Sequence, residues 1–295
     1  MSAKPLALAA LLLGSCVSAQ PLPPSGAVTP QQWAATCPED AGWDDPGPPF
    51  RIHGNAWYVG TCGIAAILIT GNEGHVLIDT GTVKGAEIVA GNIRRLGFRV
   101  EDVKLLLITH EHHDHAGGIA RLQALSGAEL ALSKDAATVL ASGRPNPDDP
   151  QYGLSEEMEP ARLGTVLPDD GRVILGNLVL QAVPTPGHTP GATSWQWPSC
   201  DGADCRTLVY ADSLSAISSD DYRFSDHPAY VQAFRDGLAR LAALPCDMVL
   251  TPHPAASDMY ARAAAGLAPD TTGCARFAQA KLAALDARLA KEQTR

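Results

Sequence analysis

The sequence predicts a layered α/β fold, and three observations support this prediction. Short apolar runs of strand length alternate with segments whose apolar residues recur at helical spacing. The alternation continues through both halves of the chain without a low-complexity linker. Of the 295 residues, 45% are hydrophobic and 18% are charged, an ordinary globular composition with enough apolar side chains for a sizeable core. We therefore expect one layered α/β domain.

The first half of the chain begins with an irregular, proline-rich arm at residues 21–49. Apolar and β-branched runs then predict strands at 57–59, 64–69, 76–78, 103–108 and around Leu130. Helical spacing predicts helices at 84–96, 119–125 and 136–141. Gly97 is a stop signal for the first of these helices.

The second half of the chain repeats this alternation. Strand-like runs at 173–183 are interrupted by Gly176 and Asn177, a turn dipeptide that predicts a hairpin. Further strands are predicted at 208–211 and 248–250, and helices at 230–244 and 277–289.

The charge balance argues against two classes of binding partner. With 22 Lys and Arg against 32 Asp and Glu, the net charge is −10, so the basic footprint of a nucleic-acid or anionic-membrane binder is missing. The helical segments have no heptad pattern, so we expect a monomer without a protein partner.

The first residues are typical of an export signal. Lys4 precedes an apolar run at 6–13, and small residues end at Ala19, so we expect a signal peptide at 1–19, a folded domain at 20–295 and a periplasmic protein. The apolar run is too short to span a bilayer. Residues 13–16 also resemble a bacterial lipoprotein box, in which case a lipid on Cys16 would attach the protein to a membrane.

Six cysteines follow this segment, and an even number in an exported chain suggests disulfides. Six cysteines allow 15 connectivities, which the sequence alone does not resolve. Neighbour order would give Cys37 with Cys62, Cys200 with Cys205, and Cys246 with Cys274. Free thiols are the alternative, whereas a zinc ribbon is disfavoured because no Cys-x-x-Cys pair occurs.

The most informative motif is His-Glu-His-His-Asp-His at residues 110–115, directly after a predicted buried strand. His110 and His112 would project to the same side, and the following turn would redirect Asp114 and His115, so one loop could serve two metals. Imidazole and carboxylate at this density suit Zn²⁺. The alternative is a solvated polar loop that binds metal loosely.

Two other histidines follow predicted strands in proline-rich turns. His188 lies in Pro-Thr-Pro-Gly-His-Thr-Pro-Gly at 184–191, and His253 lies in Thr-Pro-His-Pro at 251–254. A closed pair of zinc sites needs more ligands than one loop supplies, and these two histidines could provide them.

Taken together, these motifs resemble the metallo-β-lactamase superfamily, and within it the third subclass of the zinc (class B) β-lactamases. The resemblance rests on Asp79 in Leu-Ile-Asp-Thr-Gly, the motif at 110–115, His188, Tyr-Ala-Asp-Ser-Leu-Ser at 210–215 and Leu-Thr-Pro-His-Pro at 250–254. It covers nearly the whole mature chain and implies a four-layer αβ/βα sandwich with the metals at one edge of two packed sheets. The Cys200/Cys205 and Cys246/Cys274 pairs also resemble members of that subclass.

The resemblance implies two Zn²⁺ ions as cofactors. His110, His112 and His188 would hold the first ion, and Asp114, His115 and His253 the second. Asp79 would orient the loop without coordinating.

The resemblance also implies roles for other residues of the site. Ser213 stands where another subclass has a cysteine ligand, and Ser215 stands where the substrate carboxylate is expected. Both serines could instead be ordinary turn residues. His113 is expected to point away, and Asp212 lies close to where related hydrolases place a metal-bridging carboxylate.

The implied function is a zinc-dependent β-lactamase that hydrolyses penicillins, cephalosporins and carbapenems through a metal-bound hydroxide oriented by Asp114. The sequence has no Ser-x-x-Lys with a Lys-Thr-Gly partner, the motifs that would indicate a β-lactamase with a catalytic serine. One alternative is an exported thioester or lactone hydrolase in which Asp212 bridges the metals. A remoter alternative is a non-catalytic periplasmic zinc carrier, although ligands dispersed over strand ends favour a rigid catalytic site.

Overall fold

The computed structural model describes residues 26–294, so the expected signal peptide lies outside the described residues. The strands of this part form one seven-stranded and one five-stranded sheet. The first sheet runs in chain order through β1 (Phe50–His53), β2 (Ala56–Tyr58), β3 (Ile67–Thr70), β4 (His75–Ile78), β5 (Val103–Leu107), β6 (Glu129–Leu132) and β7 (Thr165–Val166). The second has the order β12-β11-β10-β9-β8, made of β8 (Arg172–Leu175), β9 (Leu178–Pro184), β10 (Thr193–Asp201), β11 (Asp204–Tyr210) and β12 (Met248–Leu250).

Helices connect and cover these strands. They are α1 (Pro30–Thr36), α2 (Val83–Arg95), α3 (His113–Ala116), α4 (Ile119–Ser126), α5 (Lys134–Ser142), α6 (Pro228–Ala242), α7 (Met259–Ala264) and α8 (Gly273–Gln293). None of the helices in residues 26–294 has the length and apolar character that a membrane span requires.

The two sheets pack face to face around a shared core. Ile78 of β4 and Tyr210 of β11 point into this core, whereas their neighbours Leu77 and Val209 point to the opposite faces, as the two-residue period of a strand requires. Side chains of α2, α4 and α5 cover the outer face of the first sheet. Side chains of α6 and α8 cover the outer face of the second. The layers are therefore helix, sheet, sheet and helix, which confirms the predicted αβ/βα sandwich.

Strand direction places the candidate site at one edge of these sheets. β4 pairs with β5 in parallel, so their carboxyl ends lie side by side and carry Asp79 and His110. β11 pairs with β12 in parallel, and these strands lead to Asp212 and His253. The predicted ligands thus follow strand ends that the topology brings to one edge of each sheet.

The expectation of an irregular arm at 21–49 is wrong at α1. Thr29 caps this helix by accepting a hydrogen bond from the Gln32 amide, and the Gln32 side chain accepts one from the Thr29 amide. Pro30 fits the first helical turn, where its missing N–H is not needed. The proline content of the arm obscured these helix-start signals.

Four strands also differ from expectation, because β3 begins later than predicted and β1, β7 and β10 were not predicted. The strand predicted at 64–69 begins only at Ile67, because Thr61 and Ile64 form a turn in which the Thr61 amide donates to the Ile64 carbonyl at 2.9 Å. The nine-residue strand β10 was not predicted, since polar residues and Pro198 interrupt its alternation.

Three disulfides join the six cysteines of the described chain in neighbour order. Cys37–Cys62 attaches the segment after α1 to the loop before β3. Cys200–Cys205 closes the hairpin of β10 and β11. Cys246–Cys274 ties the segment before β12 to the first turn of α8.

Candidate metal centre

Asp79, directly after β4, fixes the start of the histidine-rich loop. Its carboxylate accepts hydrogen bonds from the Thr109 amide at 2.7 Å, the Thr109 hydroxyl at 2.8 Å and the Tyr210 hydroxyl at 2.9 Å. Burial raises the pKa of Asp79 to about 8, against the opposing effect of these donors. Asp79 therefore holds the residue before His110 in place.

His110, His112 and His188 converge in a first group. One ring nitrogen from each lies within 4.8 Å of the other two. Their ring centroids are 4.7–5.0 Å apart and the rings are steeply inclined to one another. All three side chains are buried.

The remaining nitrogen of each ring meets a protein oxygen. His112 Nε2 lies 2.9 Å from Asp149 Oδ2, His188 Nδ1 lies 3.0 Å from the Ser215 carbonyl oxygen, and His110 Nδ1 lies 2.8 Å from Asp212 Oδ1. Metal-binding histidines are usually oriented in this way. His110 Nε2 is buried and has no hydrogen-bond partner within residues 26–294. This nitrogen is therefore available to a metal.

Asp114, His115 and His253 form a second group. Asp114 Oδ2 lies 3.0 Å from His115 Nε2 and 3.3 Å from His253 Nε2, and these two nitrogens are 3.2 Å apart. A tetrahedral zinc site with bonds of about 2.0 Å separates its ligands by about 3.3 Å. The spacing of the three donor atoms therefore fits a zinc ion between them.

The two groups are adjacent. A nitrogen of His110 also lies within 4.8 Å of donor atoms of Asp114 and His115. Burial lowers the pKa of both His110 and His188, which favours the neutral imidazole that binds metal. Burial alone would raise the pKa of Asp114, but the neighbouring His115 and His253 hold it well below its usual range. Imidazoles together with an ionised carboxylate are the donor set that suits a divalent metal such as zinc.

Asp212 is fully buried and both of its carboxylate oxygens have protein contacts. Oδ1 faces His110 Nδ1, and Oδ2 accepts a hydrogen bond from the Leu214 amide at 3.1 Å. The Asp212 amide donates to Ser194 Oγ at 3.0 Å. Oδ1 makes this close contact with His110 but has no well-formed hydrogen bond within residues 26–294. The Asp212 carboxylate therefore lies directly beside one of the first group of ligands.

The two serines of the following segment differ in their contacts. Ser213 Oγ is buried and has no hydrogen-bond partner within the described chain. Ser215 Oγ donates to the Ser213 carbonyl at 3.2 Å and accepts a hydrogen bond from Lys281 Nζ at 2.7 Å. His113 belongs to neither ligand group, and its ring lies 5.5 Å from that of Trp43.

Three residues of the site escaped the sequence analysis. Glu111 accepts hydrogen bonds from Thr189 Oγ1 at 2.8 Å and the Gly191 amide at 3.0 Å, which joins the 110–115 loop to the loop of His188. Asp149 orients His112, and Lys281 reaches Ser215. No sequence signal marks Asp149 or Lys281. Glu111 stands between two predicted ligands in the sequence, and this position is the one sequence signal for its role in the site.

Comparison with known proteins gives results in agreement with this geometry. The family model of the metallo-beta-lactamase superfamily matches residues 59–253. The solved structure of the MIM-2 metallo-beta-lactamase is 54% identical, with a TM-score of 0.86, over 90% of this chain and 99% of that one. MIM-1 from Novosphingobium pentaromativorans is 48% identical, with the same TM-score, over 90% of this chain and 98% of that one. MEM-A1, described as a subclass B3 metallo-beta-lactamase from a soil metagenome, is 41% identical over 86% and 99% of the two chains, with a TM-score of 0.82.

Curated relatives match a smaller part of the chain. A hydroxyacylglutathione hydrolase of Pseudomonas aeruginosa (strain LESB58) is 32% identical over 171 residues, which are 58% of this chain and 53% of that protein. The chain thus spans about half the length of the curated relatives that it matches.

Proposed function

The chain belongs to the metallo-β-lactamase superfamily, and from this premise we propose that it is a subclass B3 β-lactamase with two zinc ions that hydrolyses penicillins, cephalosporins and carbapenems. His110, His112 and His188 would hold one ion. Asp114, His115 and His253 would hold the other. The proposal is supported by the similarity to MIM-2, MIM-1 and MEM-A1 over most of the chain.

The observation that carries the choice of substrate class is the similarity to MIM-2, MIM-1 and MEM-A1 over most of the chain, and the contacts of Asp212 are compatible with it. A thioester or lactone hydrolase of the kind considered above would need this carboxylate between the metals. Here its two oxygens face His110 Nδ1 and the Leu214 amide. We therefore assign Asp212 to the orientation of His110 and assign the metals to the six residues named above.

When bound, the zinc ions supply Lewis acidity and lower the pKa of water, so that a hydroxide nucleophile is available near neutral pH. The protein holds the groups that surround this nucleophile in position. Asp114 Oδ2 faces His115 and His253, and we assign the second oxygen of this carboxylate to accept a hydrogen bond from the attacking water. Asp149, Asp212 and the Ser215 carbonyl keep the first group of histidines in the correct orientation.

Steady-state hydrolysis of a penicillin, a cephalosporin and a carbapenem by the purified protein tests this proposal. We expect turnover of all three, loss of activity with a chelator and recovery with added zinc. Suicide inhibitors directed at an active serine should have no effect. Full activity in protein shown to be free of metal would contradict the proposal.

A thioester hydrolase is the second candidate because the curated relatives carry that name. Their match covers about half of their length, whereas the matches to the β-lactamase structures cover nearly all of theirs. Hydrolysis of a hydroxyacylglutathione faster than of any β-lactam would favour this candidate.

We also propose that the protein is exported to the periplasm after cleavage behind Ala19. The three disulfides support this proposal, because such bonds persist in oxidising compartments. Mass spectrometry of the mature protein should find Gln20 at its N-terminus. A lipid-modified Cys16 at the N-terminus would instead indicate a lipoprotein.

A further inference from the structure

Lys281 of α8 reaches the edge of the candidate active site from a distant part of the sequence. Its Nζ donates a hydrogen bond to Ser215 Oγ at 2.7 Å and lies 5.1 Å from the centre of the Phe277 ring. Lys281 as a whole is half-buried. α8 itself is fixed by Phe277 and Leu285, which pack in the core beside α6.

The contacts of Ser215 place this ammonium group next to the first group of ligands. The Ser215 carbonyl accepts the hydrogen bond from His188 Nδ1 at 3.0 Å, while the hydroxyl of the same residue accepts from Lys281. Ser215 therefore lies between the Lys281 ammonium group and His188, a predicted zinc ligand.

The Ser215 hydroxyl has already used its hydrogen atom. It donates to the Ser213 carbonyl at 3.2 Å, and its oxygen accepts from Lys281. A hydroxyl has a single hydrogen to donate. In this arrangement the hydroxyl hydrogen of Ser215 is directed at Ser213.

Lys281 has the donors that Ser215 lacks. An ammonium group carries three N–H donors, and one of them is directed at Ser215. Within residues 26–294, Lys281 forms no ion pair with a carboxylate. Asp212, the acid whose charge acts on Lys281, is in contact with His110 and the Leu214 amide. Burial lowers the pKa of Lys281, so an anion bound beside it would favour its charged form.

We infer that Lys281 binds the carboxylate of the β-lactam substrate, and that Ser215 positions the lysine and does not itself supply the main contact. This assignment rests on the proposed function, since penicillins and cephalosporins carry the carboxylate in question. It transfers the substrate-binding role expected for Ser215 to a residue 66 positions further along the chain.

The test compares wild-type protein with Lys281→Met and Lys281→Arg on a penicillin and on its methyl ester. For the free acid, Lys281→Met should lower kcat/KM about ten- to a hundredfold, mainly through a higher KM, because a charge-assisted hydrogen bond is lost. Lys281→Arg should recover much of this loss. For the methyl ester, wild type and Lys281→Met should differ little.

Lys291 provides the matched control. It lies ten residues further along α8, is exposed, and loses the same charge in Lys291→Met. Zinc content and thermal unfolding should be unchanged in all three variants. If Lys281→Met and Lys291→Met have the same KM for the free acid, Lys281 does not bind the carboxylate, although the proposed function stands. If wild type hydrolyses no β-lactam, the proposed function itself fails.

Discussion

At the scale of single residues, the orientation of His110 depends on Asp212. Asp212→Asn keeps the size of the side chain and removes the charge that faces His110 Nδ1 at 2.8 Å. Replacing a carboxylate that orients a metal ligand costs about ten- to a hundredfold in activity or metal affinity. We expect slower turnover with two zinc ions still bound, measured by kinetics together with metal analysis. Loss of a full equivalent of zinc would mean that Asp212 is a ligand.

The two candidate sites should lose metal separately. His188→Ala should deplete the first site, and His253→Ala should deplete the second, because the two histidines contact different groups of donors. The zinc content of each variant, measured by atomic spectroscopy, tests this expectation. His227→Ala is the control, since His227 is exposed and stacks on Tyr222. A variant at 188 or 253 that binds two zinc ions at wild-type affinity would exclude that histidine as a ligand.

The sequence predicted the residues of the site that lie in dense motifs. His110 to His115 stand out because their types and spacing are rare outside metal sites. The residues that support this motif do not stand out in the sequence. Asp149 is 37 positions from His112, which it orients, and Lys281 is 66 positions from Ser215, which it contacts. A single Asp or Lys on a loop or helix has no local signal, and only the packing of the chain brings it to the site.

At the scale of elements, Cys246–Cys274 secures the helix that carries Lys281. In the chain-entropy account, a link spanning 28 residues stabilises by about 3–4 kcal/mol, and one spanning 5 residues by about 2 kcal/mol. We therefore expect the Cys246→Ser/Cys274→Ser protein to lose more unfolding free energy than the Cys200→Ser/Cys205→Ser protein. Denaturant unfolding under non-reducing conditions measures both. Equal losses, or the opposite order, would contradict this expectation.

Periodicity predicted elements well where one face is buried. The helix expected at 84–96 is α2, and the strand expected at 248–250 is β12. Prediction failed for α1, whose short helix is set by a cap and by burial of Trp33, and for β10, whose polar residues pair with two neighbouring strands. Backbone pairing and tertiary burial, which a local pattern does not contain, decide these two elements.

At the scale of the whole molecule, the net charge of −10 opposes the approach of anionic substrates, whereas bound zinc ions would bring positive charge to the candidate site. The two packed sheets bring strand ends from both halves of the chain to this site, so ligands 143 residues apart in sequence, His110 and His253, share it. We therefore expect specificity to come from the site and not from the overall field of the protein.

The most direct test of this account compares kcat/KM for a carbapenem and for a hydroxyacylglutathione, using the same zinc-loaded protein before and after chelation. We predict a higher value for the carbapenem and loss of that activity with the metal, as expected of a zinc β-lactamase in which Asp212 orients His110. A higher value for the thioester, or carbapenem hydrolysis that persists in metal-free protein, would contradict the account.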